Sequence, residues 1–142
     1  MHNNIKRLCS GILALAFTAN FAVAAETSHS ISVTEMHYTA TGIGPIEVAP
    51  GYGDMSKGAH SNFVKIPGHF TSPAHTHTED YYGVVIAGVV ANSSDGTQDI
   101  PLPPGSYWFQ KGREMHVTKC ISASECVFFV TQPGKFDFLM EK

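Results

Sequence analysis

An all-β fold, built as one small barrel or sandwich, is predicted by three features of the sequence. Short runs rich in β-branched and aromatic residues recur along the chain, each bounded by glycine, proline or asparagine turns. No stretch of ten residues carries the apolar period of an amphipathic helix. The chain has 142 residues, enough for one core and too few for a second domain once a leader is set aside.

That leader is residues 1–25. Lys6 and Arg7 make a basic start, an apolar run begins at Gly11, and Ala22 and Ala24 supply the small residues of a cleavage site, the pattern of a secretory signal peptide. The alternative is a membrane anchor, but Thr18 and Asn20 interrupt the apolar run and leave it short for a span. Cys9 follows Arg7 and Leu8, which is not a lipidation context, and would leave with the signal. The expected location is the periplasm or the exterior of a bacterium. Losing Lys6 and Arg7 leaves seven basic against twelve acidic side chains, a net charge of −5. A mildly acidic chain without a lysine or arginine cluster excludes nucleic acid and anionic membrane as expected partners.

Residues 26–142 form the expected domain. From Glu26 to His37 a weak alternation (Ile31, Val33, Met36) suggests an edge strand. Residues 40–60 are glycine-rich, with a brief strand at Ile46–Val48 and turn material from Pro50 to Asp54. Ser61 to Ile66 alternates as a strand stopped by Pro67 and Gly68. His60 and His69 fall outside any motif and read as loop or surface residues. Val84, Val85 and Ile86 read as a buried strand ending at Gly88. Asn92 to Gly96 is a hairpin signal, and Ile100 to Pro104 runs extended into a turn at Gly105. Tyr107 to Phe109, His116 to Thr118, Val127 to Val130 and Phe136 to Met140 complete the strands, with the aromatics read as core packing. Cys120 and Cys126, close together in a secreted chain, read as a disulfide closing a hairpin between the last two long strands.

The chemistry concentrates at His75 and His77. In an extended chain residues i and i+2 share a face, so the two imidazoles lie side by side. Such a pair is awkward in a core, where each ring has a donor and an acceptor to satisfy, and well suited to a divalent metal. Residues 103–116 follow with a turn, an aromatic strand, a second glycine turn and a third histidine, His116.

Together these two segments resemble the two motifs of the cupin superfamily. His75, His77 and Gly88 fall in register with the first motif, and Gly105, Gly112 and His116 with the second. Two positions depart: Tyr81 stands where the first motif expects glutamate, and Gln110 where the second expects proline. The wording of the second segment is similar to that of bacterial cupins near the anti-sigma-factor type. The resemblance spans residues 45–140 and implies a double-stranded β-helix, or jelly roll, in which His75, His77 and His116 hold one divalent transition metal. Three neutral imidazoles suit Zn, Fe, Mn, Ni or Cu without choosing among them, and leave an open position of the kind a reactive metal uses. Ligation needs neutral rings, so binding is expected to weaken below about pH 6. Tyr81, by the motif spacing, and Glu79, by strict alternation, are the candidates for a fourth ligand or for a group hydrogen-bonded beside the metal.

Three function classes stay open. One is a cupin metalloenzyme of dioxygenase or isomerase type. The second is a binding or sensing module in which the metal holds a small ligand, anionic because the missing glutamate leaves the site with a net +2. The third is a metal-free structural cupin, with a homodimer admitted in each case. Arg113 is the one arginine after the leader, so a bidentate grip on carboxylate or phosphate is not expected elsewhere.

Overall fold

The computed structural model describes residues 27–94 and 97–140; the segment read as a signal peptide and the tip of the Asn92–Gly96 turn lie outside the described residues. Among the described residues there is no α-helix. The strands are β1 (Thr39–Ala40), β2 (Glu47–Gly53), β3 (His60–Ile66), β4 (His75–Thr76), β5 (Tyr81–Ala87), β6 (Val90–Ser94), β7 (Tyr107–Gln110), β8 (His116–Cys120), β9 (Cys126–Gln132) and β10 (Leu139–Met140). They form a six-stranded sheet in the order β1-β2-β3-β9-β5-β7 and a four-stranded sheet in the order β10-β4-β8-β6. All pairings are antiparallel, so the fold is the all-β, two-sheet jelly roll the sequence predicts.

Several boundaries differ from expectation for local reasons. The segment read as an edge strand near Ile31 instead makes a short 3-10 turn at Val33–Glu35. The Ser32 amide donates to Glu35 Oε2 (3.1 Å) and the Glu35 amide to Ser32 O (2.9 Å), which closes the backbone on itself and leaves Ile31 and Val33 exposed. Pro50 and Gly51 lie within β2 and not in a turn. Past Val48 this strand has lost β1 as a partner, so its outer edge is free and a residue without an N–H is tolerated. His60 is 2 % exposed and opens β3, which corrects its reading as a loop residue; His69 is exposed as expected. Of the Val84–Ile86 run only Val85 is buried, because the outer face of this antiparallel sheet meets solvent. Likewise Trp108 faces inward while Tyr107 and Phe109 face out.

The core between the sheets is Ile66, Val85, Val90, Trp108, Phe128 and the two cysteines. Trp108 crosses Gly83, its cross-strand partner, where an added Cβ would sit 2.2 Å from the indole. The sulfurs of Cys120 and Cys126 lie at disulfide-bond distance, 2.06 Å, and both residues are essentially buried. The pair is not a rung of a hairpin: β8 belongs to the four-stranded sheet and β9 to the six-stranded one, so the cysteines tie the two layers together. Gly88 (φ +73°) seats this pair, since a Cβ there would lie 2.7 Å from Cys126 Sγ.

Candidate metal centre

His75, His77 and His116 converge between the sheets. His75 and His116 are direct cross-strand partners of β4 and β8, and His77 follows two residues beyond His75. All three are buried, at 3, 6 and 0 % exposure. Ring centroids are 4.3 Å apart for His75 and His116, 4.9 Å for His75 and His77, and 5.2 Å for His77 and His116.

Each ring is oriented by a backbone carbonyl. His75 Nδ1 donates to Pro73 O (2.8 Å), His116 Nδ1 to Glu114 O (3.1 Å), and His77 Nδ1 to Asp137 O. The proton is thereby fixed on Nδ1 in all three, and each Nε2 keeps its lone pair. One donor nitrogen from each ring lies within 4.8 Å of the others. Ligation of one ion at about 2.0–2.1 Å would bring three donors to about 3.3–3.6 Å of one another, an inward movement of at most about 1.5 Å between any two rings. Burial depresses all three imidazoles to about 4, because the charged form loses its hydration. The rings are therefore neutral well below pH 6, and the pH at which protons compete with a metal moves down from the expected 6 toward 4.

The C-terminal segment supplies support that the sequence reading missed. Asp137 clamps the His75–Thr78 stretch: its carbonyl takes the His77 proton, and its carboxylate accepts from the Thr78 amide (2.8 Å) and hydroxyl. Phe138 stacks on His75 at 3.9 Å and Phe136 lies 5.4 Å from His77. The alternating Phe136, Asp137 and Phe138 is a sequence signal for this clamp, two aromatic rings inward around one acid.

Tyr81, the first residue of β5, borders the site. Its hydroxyl lies 3.3 Å from His116 Nε2 and 3.2 Å from Asn92 Oδ1. Burial pushes the phenol up to about 12, so it is neutral. Asn92 Oδ1 also accepts from Thr118 Oγ1 (2.7 Å), and Asn92 Nδ2 donates to Gln110 Oε1 (2.8 Å). Glu79 is not brought to the histidines: its side chain packs against Gly134, and the three-histidine cluster excludes it. Asp80 points away to accept from the Gly112 amide (2.7 Å), and Arg113 is exposed.

His75 and His77 open onto a cavity of about 90 Å³, several times the roughly 10–15 Å³ that one water needs. One sheet contributes His75, His77 and Thr118, and the other Val64, Val130 and Phe128. No lysine, arginine, aspartate or glutamate lines it among the described residues.

A family model described as "Domain of unknown function (DUF4437)" matches residues 31–140. No curated protein matches the sequence. Among solved structures, the polyketide cyclase RemF from Streptomyces resistomycificus superposes with a TM-score of 0.67 at 15% identity, covering 82% of this chain and 87% of that one. An RmlC-like cupin from Shewanella frigidimarina gives 0.60 at 14% identity, with 75% and 92% covered. A structure of Rhodobacter sphaeroides SigE with the anti-sigma ChrR gives 0.55 at 16% identity, with 71% and 50% covered. These likenesses establish a shared fold.

Proposed function

Because the chain belongs to the family described as Domain of unknown function (DUF4437) and has the cupin fold, we propose that it is a secreted or periplasmic metal-binding cupin that holds a small anionic ligand at one divalent transition metal. The observation that carries this reading is the orientation of His75, His77 and His116. Each Nδ1–H is held by a backbone carbonyl and each Nε2 is left for a common centre. Neutral imidazole donors fit Zn, Fe, Mn, Ni or Cu.

Charge supports the anionic ligand. Three neutral rings and a neutral phenol leave a bound dication uncompensated, and the cavity wall offers no carboxylate. A small anion entering the open position removes that cost. The metal would supply charge stabilisation to the ligand's oxygen; the chain's own residues orient the donors, exclude bulk water and keep the Tyr81 proton beside the site. The paired cysteines and the basic, apolar N-terminal segment support export. An enzyme of dioxygenase or isomerase type would use the same site, and the cyclase among the structural neighbours is compatible with a small-molecule occupant.

Elemental analysis of protein purified from its native compartment, beside a His75→Ala/His77→Ala variant, tests the reading. About one transition metal per chain in the wild type and a large loss in the variant are expected. Equal metal content in the two overturns it.

A further inference from the structure

A second polar cluster, carried by the other sheet, lies at the same end of the cavity as the histidines. The inward-facing rows of β3 and β9 follow one another as His60–Gln132, Asn62–Val130 and Val64–Phe128. The Tyr82–Thr131 pair puts Tyr81 level with Gln132, and so with His60. The Tyr81 hydroxyl lies 3.3 Å from His116 Nε2, which makes this first row the histidine end. The next row beyond Val64–Phe128 is Ile66–Cys126, so the Cys120–Cys126 pair marks the opposite end. Residues 134–138 join the two walls of the histidine end. Gly134 O lies 3.0 Å from His60 Nδ1, and Lys135 O accepts from Gln132 Nε2 (3.2 Å). From the same segment Asp137 O takes the His77 proton and Phe138 stacks on His75.

Unspent hydrogen-bonding capacity is confined to this end. His60, Asn62 and Gln132 are buried, at 2, 5 and 5 % exposure, where unmatched polar atoms cost free energy. His60 Nδ1 also sits 2.9 Å from Gly58 O, which places its proton on that nitrogen and leaves Nε2 as an acceptor. Asn62 Nδ2 makes one weak contact with Met55 Sδ (3.8 Å). No protein partner meets His60 Nε2, Asn62 Oδ1 or Gln132 Oε1 among the described residues. The one fully enclosed side-chain N or O atom without a partner there is Trp108 Nε1, so these free acceptors open onto cavity space. Toward the cysteine end the polar groups are already used. Thr41 Oγ1 donates to Ile46 O (2.9 Å), Ser72 Oγ to Pro73 O (3.0 Å) and Thr118 Oγ1 to Asn92 Oδ1 (2.7 Å). What remains of that wall is apolar: Val64, Ile66, Ile46 and Phe70.

We infer that the ligand is a hydroxycarboxylate with its hydroxyl close to the acid group: His60, Asn62 and Gln132 take that hydroxyl beside the metal, and a hydrocarbon tail points toward Ile66 and Phe70. The inference rests on the anion-at-metal reading and adds the ligand's second polar group and its direction in the cavity. Adjacent strands lie about 4.8 Å apart, so the row Tyr81, Gln132, His60 is within a few bonds' reach of a carboxylate held at the histidines. Three free acceptors call for a donor, and a neutral hydroxyl supplies one. A second carboxylate would face those acceptors with no lysine or arginine on the cavity wall, and an ammonium would sit beside an uncompensated dication with no acid on that wall. From the Asn62–Val130 row to the Ile66–Cys126 row is four residues of strand, roughly 13 Å, which accommodates a short hydrocarbon chain. That stretch offers nothing to a sugar-like row of hydroxyls.

The test is calorimetry on zinc-loaded protein with hexanoate and its 2-, 3- and 6-hydroxy derivatives. The tighter of the 2- and 3-hydroxy acids should bind about five- to tenfold better than hexanoate. 6-Hydroxyhexanoate should bind more weakly than hexanoate, because its hydroxyl is desolvated against the apolar end. The Asn62→Leu/Gln132→Met variant should bind the hydroxy acids no tighter than hexanoate; should it not fold, the single Asn62→Leu variant carries this arm with a partial loss. A gain that survives the substitutions is chelation by the metal alone and overturns the inference. So does a wild type that prefers hexanoate to both near-end hydroxy acids, or one that binds 6-hydroxyhexanoate tightest. Failure of the underlying reading looks different: no zinc uptake, or hexanoate that binds with and without zinc alike.

Discussion

Tyr81 and Gln110 are cross-strand partners in β5 and β7, and Asn92 from the opposite sheet bonds to both. These are the two positions at which the chain departs from the cupin motifs it resembles. The departures are thus one coupled change. A phenol replaces an expected carboxylate, and the amide opposite it anchors the asparagine that takes the phenol's hydrogen bond. Gln110 in turn donates to Lys111 O (3.2 Å) and Glu114 O (3.3 Å), the carbonyl that also orients His116. Neutral hydrogen bonds therefore fix the geometry at this position without supplying the negative charge a glutamate would carry.

The histidines make the apo protein acid-sensitive in a defined window. Their folded values lie near 4, below the ordinary 6.5, so between these limits the unfolded chain binds protons that the folded chain refuses. Stability contributed by keeping the rings neutral is present above about pH 6.5 and is lost as pH falls toward 4. Denaturant midpoints of apo protein should drop across this interval, while metal-loaded protein should hold its metal to about pH 5 before releasing it. Metal already lost at pH 6 would contradict the buried, neutral site.

Reduction should loosen the two layers. The chain-entropy contribution of so short a loop is about 2 kcal/mol, and Cys120→Ala/Cys126→Ala should cost at least that in urea unfolding. Intact-mass measurement without reductant checks the bond itself: two alkylatable thiols in the mature, natively purified chain would refute it.

Gly83 has no room for a side chain, because the Trp108 indole lies across its Cα. Gly83→Ala should displace Trp108, which packs edge-on against Tyr81 at 6.4 Å and Phe128 at 5.4 Å. Overpacking of this kind costs about 1–3 kcal/mol. Tryptophan fluorescence and a urea midpoint together would register it; an unchanged midpoint would mean that the indole moves aside freely.

The strands and the first two histidines of the candidate site are legible because they obey local rules. His75 and His77 follow from alternation, and Tyr107 to Phe109 from β-propensity between turns. What was not legible depends on which sheet a strand joins. Cys120 and Cys126 look like a hairpin rung in one dimension, yet β8 and β9 go to different layers. His60 looks like a loop residue because the signal that buries it, pairing with Gln132 seventy-two positions away, is not local. Asp137 escaped notice for the same reason: its clamp on Thr78 spans 59 positions.

The outer face of β5 and β7 exposes Tyr82, Val84, Ile86, Tyr107 and Phe109, each between 41 and 57% accessible. Tyr82 packs against Tyr107 (6.3 Å) and Phe109 (5.2 Å), so the patch is continuous and bears no charge. A neutral apolar face on an edge strand meets a second copy of itself without like-charge repulsion. Sedimentation should show a homodimer that Tyr107→Lys/Phe109→Lys converts to monomer. A wild type that sediments as a monomer at all accessible concentrations would end this proposal.

Tyr81 provides the sharpest test of the metal site's charge. With glutamate at this position a three-histidine dication would carry a net +1; with a neutral phenol it carries +2. The phenol stays neutral, since burial holds its proton to about pH 12. When a cation occupies His116 Nε2, the Tyr81 hydroxyl loses that acceptor and keeps Asn92 Oδ1 at 3.2 Å or turns to the incoming ligand. Small carboxylates should therefore bind metal-loaded protein and not the apo form. Tyr81→Glu places the missing negative charge at the site and should weaken carboxylate binding most. Tyr81→Phe removes one hydrogen bond to a charged group and should cost less, about 1.5–3 kcal/mol. The order wild type, then Phe, then Glu is what charge compensation requires, because a purely steric effect would set the smaller Glu beside wild type. Calorimetry that finds carboxylates bound alike by apo, metal-loaded and Tyr81→Glu protein would show that the +2 charge does not govern what enters the cavity.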